Sequence, residues 1–322
     1  MDTLLRWPDA PHATVATAAA VATASLILVA KAVLWPRRRR VLPSPLRTVL
    51  PRASREELSR LVYLPDAFPG ARDVETPDLF GRGFTDGVGD IPHDTRLYTT
   101  QMLLVLASSR LCWTGEAGFR LIGYSLGGGI VIPFANAFPH MVSSLVLLAP
   151  AGLIDAASFG SVTRFVFSSG FVPERILAVL TGRRLQRPIA SRAAEVLAAA
   201  EAESLVGEKS PLEVRVSEYV RWMVLNHEGF VPAFMSCLRY APLTEQHGEW
   251  KGLARRQRRT TAIIFAEKDE LISAEDYARH GLPLVGGEEH VFWRVVPGSH
   301  DFVMTHSAAI MKELDDFWAV EA

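Results

Sequence analysis

The stretch FRLIGYSLGGG, residues 119–129, joins a short apolar run to a serine flanked by glycines. Residues 119–124 have the length and the side chains of a buried strand, and the residues from Ser125 to about Pro139 have those of an apolar helix. A strand that turns sharply into a helix strains the backbone at the turn, and glycines two positions away leave room for it. The stretch therefore predicts a strand, a tight turn that presents Ser125, and a helix.

The rest of the chain repeats this alternation of strand and helix. A helix is expected over residues 94–113 and another over the last twenty residues or so, with a short helix near residue 275. Continuous apolar strands separated by helices are typical of a parallel sheet covered on both faces, so the fold class is α/β. Three further buried strands are predicted, at residues 142–150, 261–269 and 290–298.

A long segment between the second and third of these strands has no strand character. Residues 153–255 contain helical patterns only, among them residues 191–206 and 216–240. A helical insertion at this point of a parallel sheet is expected above the carboxyl ends of the strands. We interpret it as a lid that is rich in aromatic and aliphatic side chains.

Composition excludes several classes of function. The formal net charge is −1, so bulk electrostatics give no indication of nucleic-acid binding. The two cysteines, Cys112 and Cys237, form neither a CxxC motif nor a Cys/His cluster, and we interpret both as buried thiols. The sequence thus predicts no metal and no cofactor, and it carries no indication of the oligomeric state.

The N-terminal region has the pattern of a membrane anchor. Residues 13–35 contain one charge, Lys31, and are long enough to cross a hydrocarbon core as a helix. Trp35 would lie at the interface, and the run Arg37–Arg40 would hold the following domain in the cytoplasm. A signal peptide is the alternative, but positive charge should then precede the apolar core, and only Arg6 does. The prediction is a single-pass membrane protein.

Residues 36–77 are predicted to be a linker with one short helix. Ser54 and Glu57 have the spacing of a capping box, and the sequence that follows has helical character. Pro77 then leads directly into a glycine-rich loop, without a preceding run of strand-forming residues. A domain boundary is therefore placed at residue 78, and residues 78–322 form the main folded domain.

Five motifs in this domain together resemble the α/β-hydrolase superfamily of serine hydrolases. The resemblance covers roughly residues 78–322 and implies the fold, a helical lid and a Ser-acid-His triad. The motifs are GYSLG at 123–127, DLFGRGFTD at 78–86, LVLLAPAG at 145–152, AEKDELIS at 266–273 and VVPGSHDFV at 295–303.

The resemblance gives the site residues. Ser125 would be the nucleophile, His300 the general base and Asp269 the acid that orients it, in the chain order that this fold uses. The backbone N–H of Leu126 would be one oxyanion donor. Other carboxylates near the expected position of the acid are Glu267, Glu270 and Asp155.

One part of the superfamily pattern has no counterpart. No His-Gly pair precedes residue 78, although a loop of that type normally supplies the second oxyanion donor. About 40 to 60 residues of sheet and connections are missing between Pro77 and Asp78. The apolar strand at 119–124 would then lie at an open edge of the sheet.

Three functions follow from this pattern. The first is a membrane-anchored hydrolase that cleaves an ester or another acyl bond of a small molecule or lipid. The second is an impaired or incomplete hydrolase-fold protein, whether a pseudoenzyme, a splice form or a faulty gene assembly. The third keeps the triad but uses it for acyl transfer or a cofactor-free haloperoxidase-type reaction.

Overall fold

A computed structural model describes the fold over residues 10–34, 41–52, 54, 76–111, 113, 118–155, 165–167, 171–186 and 211–321. Its centre is a parallel sheet of four strands in the order β1-β2-β3-β4. The predicted α/β class is therefore confirmed, although β2, β3 and β4 end two or three residues earlier than expected. The strands are β1 (Phe119–Tyr124), β2 (Val142–Leu148), β3 (Thr261–Ala266) and β4 (Phe292–Val296).

Helices border this sheet and surround the insertion. The α-helices are α1 (Ala10–Leu34), α2 (Pro45–Thr48), α3 (Thr95–Ser108), α4 (Leu126–Ala137), α5 (Glu174–Leu185), α6 (Pro211–Asn226), α7 (Phe230–Tyr240), α8 (His247–Leu253), α9 (Ala274–His280), α10 (Phe302–Thr305) and α11 (Ser307–Glu321); a short 3₁₀ helix spans Leu50–Arg52.

The main core lies where α4 and α11 pack on the sheet. Strands β2 and β3 are almost wholly buried, as continuous apolar runs in a parallel sheet should be. On α11 the residues Ile310, Leu314 and Phe317 are buried at helical spacing and face the same core. The carboxyl ends of β1, β3 and β4 consequently meet at one edge, which is where the predicted site residues follow.

Strand β1 lies at one edge of the sheet within the described residues. It pairs with β2 from Phe119↔Val142 to Tyr124↔Leu148, and no described strand lies on its other side. Ile122, in the middle of the strand, is 49% exposed. An apolar side chain on an open edge strand is a site for unwanted strand pairing. This is the open edge that the sequence predicts.

Between β2 and β3 the described residues are helical, in agreement with the predicted insertion. One predicted helix is divided in two, because α6 ends at Asn226 and α7 begins at Phe230. The predicted helix at 191–206, the linker helix after Ser54, Trp35, Arg37–Arg40 and Cys112 all lie outside the described residues. Cys237 is a buried free thiol, as predicted.

The N-terminal helix α1 is long and apolar enough to cross a membrane over Val15–Val33. None of that span is buried against the rest of the protein. A buried core helix would meet the same composition test, but it would not have this exposure. A signal sequence meets the same test, so topology stays a prediction.

The glycine-rich loop is joined to the lid by a histidine. His227 lies in the break between α6 and α7 and is 3% exposed. Its Nε2 is 2.9 Å from the carbonyl oxygen of Thr85, and its Nδ1 accepts the N–H of Gly229 at 2.9 Å. The ring is therefore neutral with its proton on Nε2, since a carbonyl can only accept. Burial lowers the pKa of His227.

Stability is expected to fall below about pH 6.5 because of this histidine. When the folded pKa is depressed, the unfolded chain binds the extra proton first, so stability is complete above the unfolded value and decreases below it. Burial lowers the pKa of His93 as well, with the same sign. Urea unfolding in detergent between about pH 8 and pH 5 measures the effect.

His227→Gln should weaken that pH dependence, because glutamine can still donate to Thr85 but does not titrate. His280→Gln is the matched control, since His280 is exposed on α9. An unchanged pH profile in His227→Gln would contradict the assignment.

Candidate active site

The turn at Ser125 has the strained backbone that the sequence predicts. Its φ is 51° and its ψ is −120°, in a region that non-glycine residues rarely occupy. Two hydrogen bonds hold the turn: the Ser125 N–H donates to Leu148 and the Ala151 N–H donates to Ser125, both at 2.9 Å. The strand-to-helix turn is thus fixed by the end of β2 and the residues that follow it, and the serine side chain is partly exposed.

Of the two glycines in the motif, only Gly123 lies where a side chain would clash with its surroundings. A Cβ on Gly123 would lie 2.7 Å from the carbonyl oxygen of Gly127, but a Cβ on Gly127 would meet nothing within 4 Å. The crowded position on the far side is Gly128, where a Cβ would come 2.5 Å from Pro150. The expectation that both flanking glycines make room is therefore wrong for Gly127.

Three predicted side chains meet at this turn. The Ser125 Oγ is 2.9 Å from Nε2 of His300, and Nδ1 of His300 is 2.8 Å from Oδ2 of Asp269. A carboxylate can only accept, so Nδ1 carries the proton and Nε2 is free to accept the serine hydroxyl hydrogen. The arrangement has the atoms and the tautomer needed for proton transfer from Ser125 to His300.

The carboxylate of Asp269 is oriented by the loop that follows it. Its Oδ1 accepts the N–H groups of Leu271 and Ile272 at 2.9 and 2.8 Å. The side chain of Asp269 is 0% exposed, whereas that of His300 is 14% exposed. A buried carboxylate fixed by backbone donors holds the imidazole in one orientation and stabilises the imidazolium form.

Two residues in roles that the sequence did not predict hold the backbone of His300. The Tyr124 hydroxyl donates to the His300 carbonyl at 2.5 Å, and the His300 N–H donates to Oε2 of Glu270 at 3.1 Å. Burial raises the pKa of Tyr124, so its hydroxyl stays protonated and remains a donor. The backbone of the histidine is thus held on both sides.

The structure separates Asp269 from the three other carboxylates. Glu270 binds the backbone of His300 rather than its ring, while Glu267 and Asp155 are exposed. The position of Glu270 beside Asp269 marked it as a candidate in the sequence, but no sequence signal indicated the role of Tyr124.

Leu126 is the first residue of α4. The first N–H groups of a helix have no carbonyl one turn earlier to bond, so the N–H of Leu126 is suited to bind an anion beside Ser125. A second donor is not identified among the described residues. They also contain no group of three or more His, Cys, Asp or Glu side chains that could hold a metal ion.

Tyr124→Phe is expected to lower kcat about tenfold with little change in KM, because the loss of one hydrogen bond worth about 1.4 kcal/mol loosens His300. Steady-state hydrolysis of a p-nitrophenyl ester measures both constants. Tyr277→Phe is the matched control, since the Tyr277 hydroxyl accepts the N–H of Leu153 instead. Equal losses of kcat in the two variants would contradict a positioning role for Tyr124.

In comparison with known proteins, the chain is similar only to distant solved structures. No protein-family model matches the chain, and no curated protein matches it. Among solved structures, a meta-cleavage product hydrolase from Pseudomonas fluorescens is 18% identical, with a TM-score of 0.48, over 77% of this chain and 79% of that one. An enol-lactonase from Burkholderia xenovorans is 15% identical, with a TM-score of 0.49, over 74% and 78%. Naproxen esterase from Bacillus subtilis is 16% identical, with a TM-score of 0.48, over 75% and 72%.

These likenesses are weak, and the fold is assigned on the chain's own geometry. A parallel sheet, a strained serine between β1 and α4, and a helical insertion after β2 define an α/β-hydrolase fold. The sheet is reduced at the side of β1 within the part of the chain that is described.

Proposed function

We propose that the protein is a serine hydrolase that cleaves an ester or a related acyl bond through an acyl-enzyme. The observation that carries the proposal is the continuous hydrogen-bonded chain from Ser125 through His300 to Asp269. Such a chain raises the nucleophilicity of a serine hydroxyl at neutral pH. The described residues offer no second arrangement of this kind.

The positions of the protons on Ser125 and His300 determine the order of the reaction steps. Ser125 Oγ attacks the carbonyl carbon while its proton passes to Nε2 of His300, and the N–H of Leu126 stabilises the oxyanion. The intermediate collapses when His300 returns the proton to the leaving alcohol. Water then attacks the acyl-enzyme with the same assistance and releases the acid and free Ser125.

A fluorophosphonate probe tests the proposal on the full chain in detergent. The Ser125 Oγ should displace fluoride from phosphorus and carry the label, and Ser125→Ala should carry none. Ser108→Ala is the matched control, because Ser108 is an exposed serine on α3. Absence of Ser125-dependent labelling in folded protein would rule out activity for this form of the chain.

An impaired enzyme is the second candidate, and the open edge of β1 favours it. The superfamily strand expected beside β1 would carry the second oxyanion donor, and removal of one such donor lowers kcat by about 10²- to 10³-fold.

Transcript sequencing across codons 77 and 78 distinguishes an impaired enzyme from an active one. An additional exon there would make the longer product the active enzyme, whereas a continuous junction together with Ser125-dependent ester turnover would exclude impairment. Acyl transfer or haloperoxidase-type chemistry would require a different acceptor at the same triad.

We also propose a membrane-anchored arrangement with an anchor at 13–35, a linker at 36–77 and a cytoplasmic catalytic domain at 78–322 with its lid at about 153–255. The exposed apolar surface of α1 supports the anchor. A lipid or another apolar ester fits this location as substrate. Protease protection of the domain in sealed vesicles tests the topology.

A further inference from the structure

One face of the lid helix α5 has an apolar centre with positive charge at both ends. Ile176, Val179 and Leu180 are 44–53% exposed. Val179 and Leu180 lie three and four residues after Ile176, so the three side chains share one face. Within the same helix, the exposed arginines lie before and after them. They are Arg175, Arg183 and Arg184. We call these six residues the α5 face.

The α5 face is held rigidly by the opposite side of the helix. Leu177 and Leu185 are buried, and so is Gly182, where a Cβ would come within 3.4 Å of Val224 and 3.6 Å of Val231. Glu174 forms a two-pronged ion pair with Arg239 of α7, at 2.5 and 3.0 Å. The exposed apolar side chains therefore do not belong to a loosely packed helix that could turn them inward.

The α5 face also lies beside the end of the apolar N-terminal helix. Helices α1 and α5 are in contact. Among residues 15–33 only Ala30 is partly covered, which places the contact near the C-terminal end of α1. A groove of about 660 Å³ adjoins the α5 face at Val179, and it is also lined by Val49 and Leu225.

We propose that the α5 face docks on the surface of an anionic lipid bilayer, at the membrane that α1 enters. Apolar side chains flanked by arginines match the acyl boundary and the phosphate headgroups of such a surface. Arginines near an anionic leaflet are attracted by its negative surface potential. The inference rests on the proposed anchor, and it places the lid of the proposed hydrolase against lipid.

The test uses the full chain in nanodiscs that contain phosphatidylcholine alone or with phosphatidylglycerol. Val179→Cys is labelled with an environment-sensitive nitrobenzoxadiazole dye in a Cys112→Ser, Cys237→Ser background. Lys312→Cys, exposed on α11, is the matched control. In discs with phosphatidylglycerol, the dye at 179 should emit at shorter wavelength and be quenched severalfold less by acrylamide than the dye at 312.

Neutralising the charges should remove the preference for anionic lipid. A triple variant, Arg175→Gln with Arg183→Gln and Arg184→Gln, is expected to give the same shielding at 179 in both kinds of disc. Equal quenching at 179 and 312 in discs that contain the chain would overturn docking. Shielding at 179 that depends on protein concentration in detergent would identify a second copy as the partner and would also overturn it.

Two further readouts keep the outcome clear. If the serine background does not fold, hydrogen exchange of residues 174–185 in the unmodified chain provides the same comparison between discs. Chain that does not enter discs contradicts the anchor and docking together. Fluorophosphonate labelling of Ser125 is measured on the same samples, so loss of docking with retained labelling refutes this inference and leaves the hydrolase proposal standing.

Discussion

Replacement of Ser125 by alanine is expected to lower kcat for an activated ester by about 10⁶-fold. Alanine has no nucleophilic oxygen, so the acyl-enzyme cannot form, although the oxyanion donor and the bound geometry remain. The side chain is small and partly exposed, hence folding should be unaffected. Hydrolysis of p-nitrophenyl acetate by full chain in detergent, normalised to folded protein, measures the loss.

The combination with His300→Ala gives a sharper result. Ser125 and His300 are hydrogen-bonded at 2.9 Å and act on the same proton. The losses of kcat from their two substitutions should therefore not add. The double variant is expected to be about as active as either single variant. A further loss in the double variant would mean that His300 has a second role, and ester turnover that survives Ser125→Ala would place the nucleophile elsewhere.

Asp269→Asn is expected to lower kcat by about 10⁴-fold. Asparagine can offer an N–H to Nδ1, so His300 would shift its proton to Nε2 and could no longer accept from Ser125. The N–H groups of Leu271 and Ile272 both donate to Oδ1, so the amide oxygen should take that position. The NH₂ group would then take the position of Oδ2, which is the oxygen nearer to Nδ1 of His300. The pH-rate profile of p-nitrophenyl acetate hydrolysis provides the measurement.

The neighbouring carboxylates are the controls for this prediction. Glu270→Gln retains an acceptor for the His300 N–H and should lose no more than about tenfold, since it removes charge but not the hydrogen bond. Glu267→Gln, at an exposed position, should change nothing. A larger loss in Glu270→Gln than in Asp269→Asn would make Glu270 the acid.

The sheet and the turn were predictable from sequence because strong local patterns agree with the tertiary structure. The strand at Phe119–Tyr124 has the predicted bounds, and β2, β3 and β4 are shorter than predicted only at their termini. Continuous apolar runs cannot be stable on a solvated surface, so their burial in a parallel sheet is nearly forced. The meeting of Ser125, Asp269 and His300 follows from the common direction of the strands that precede them.

What sequence could not give depends on contacts between distant segments. The hydroxyl of Tyr124 reaches the backbone of a residue 176 positions away, and nothing local to GYSLG indicates it. The break between α6 and α7 was missed because helical periodicity continues through His227, whose ring instead binds the glycine-rich loop. The open space at Gly127 contradicts a motif rule that holds only where a neighbouring segment crowds the turn.

The strained backbone at Ser125 affects which substitutions would stabilise this turn. A non-glycine residue at φ 51° holds about 1 to 3 kcal/mol of strain, present whether or not substrate is bound. Glycine at this position would relieve that strain with one substitution, but it would remove the hydroxyl. Substitution of Ser125 by glycine would therefore be favoured by stability wherever the hydroxyl was no longer needed. The strain at Ser125 is therefore retained together with the hydroxyl that lies 2.9 Å from Nε2 of His300.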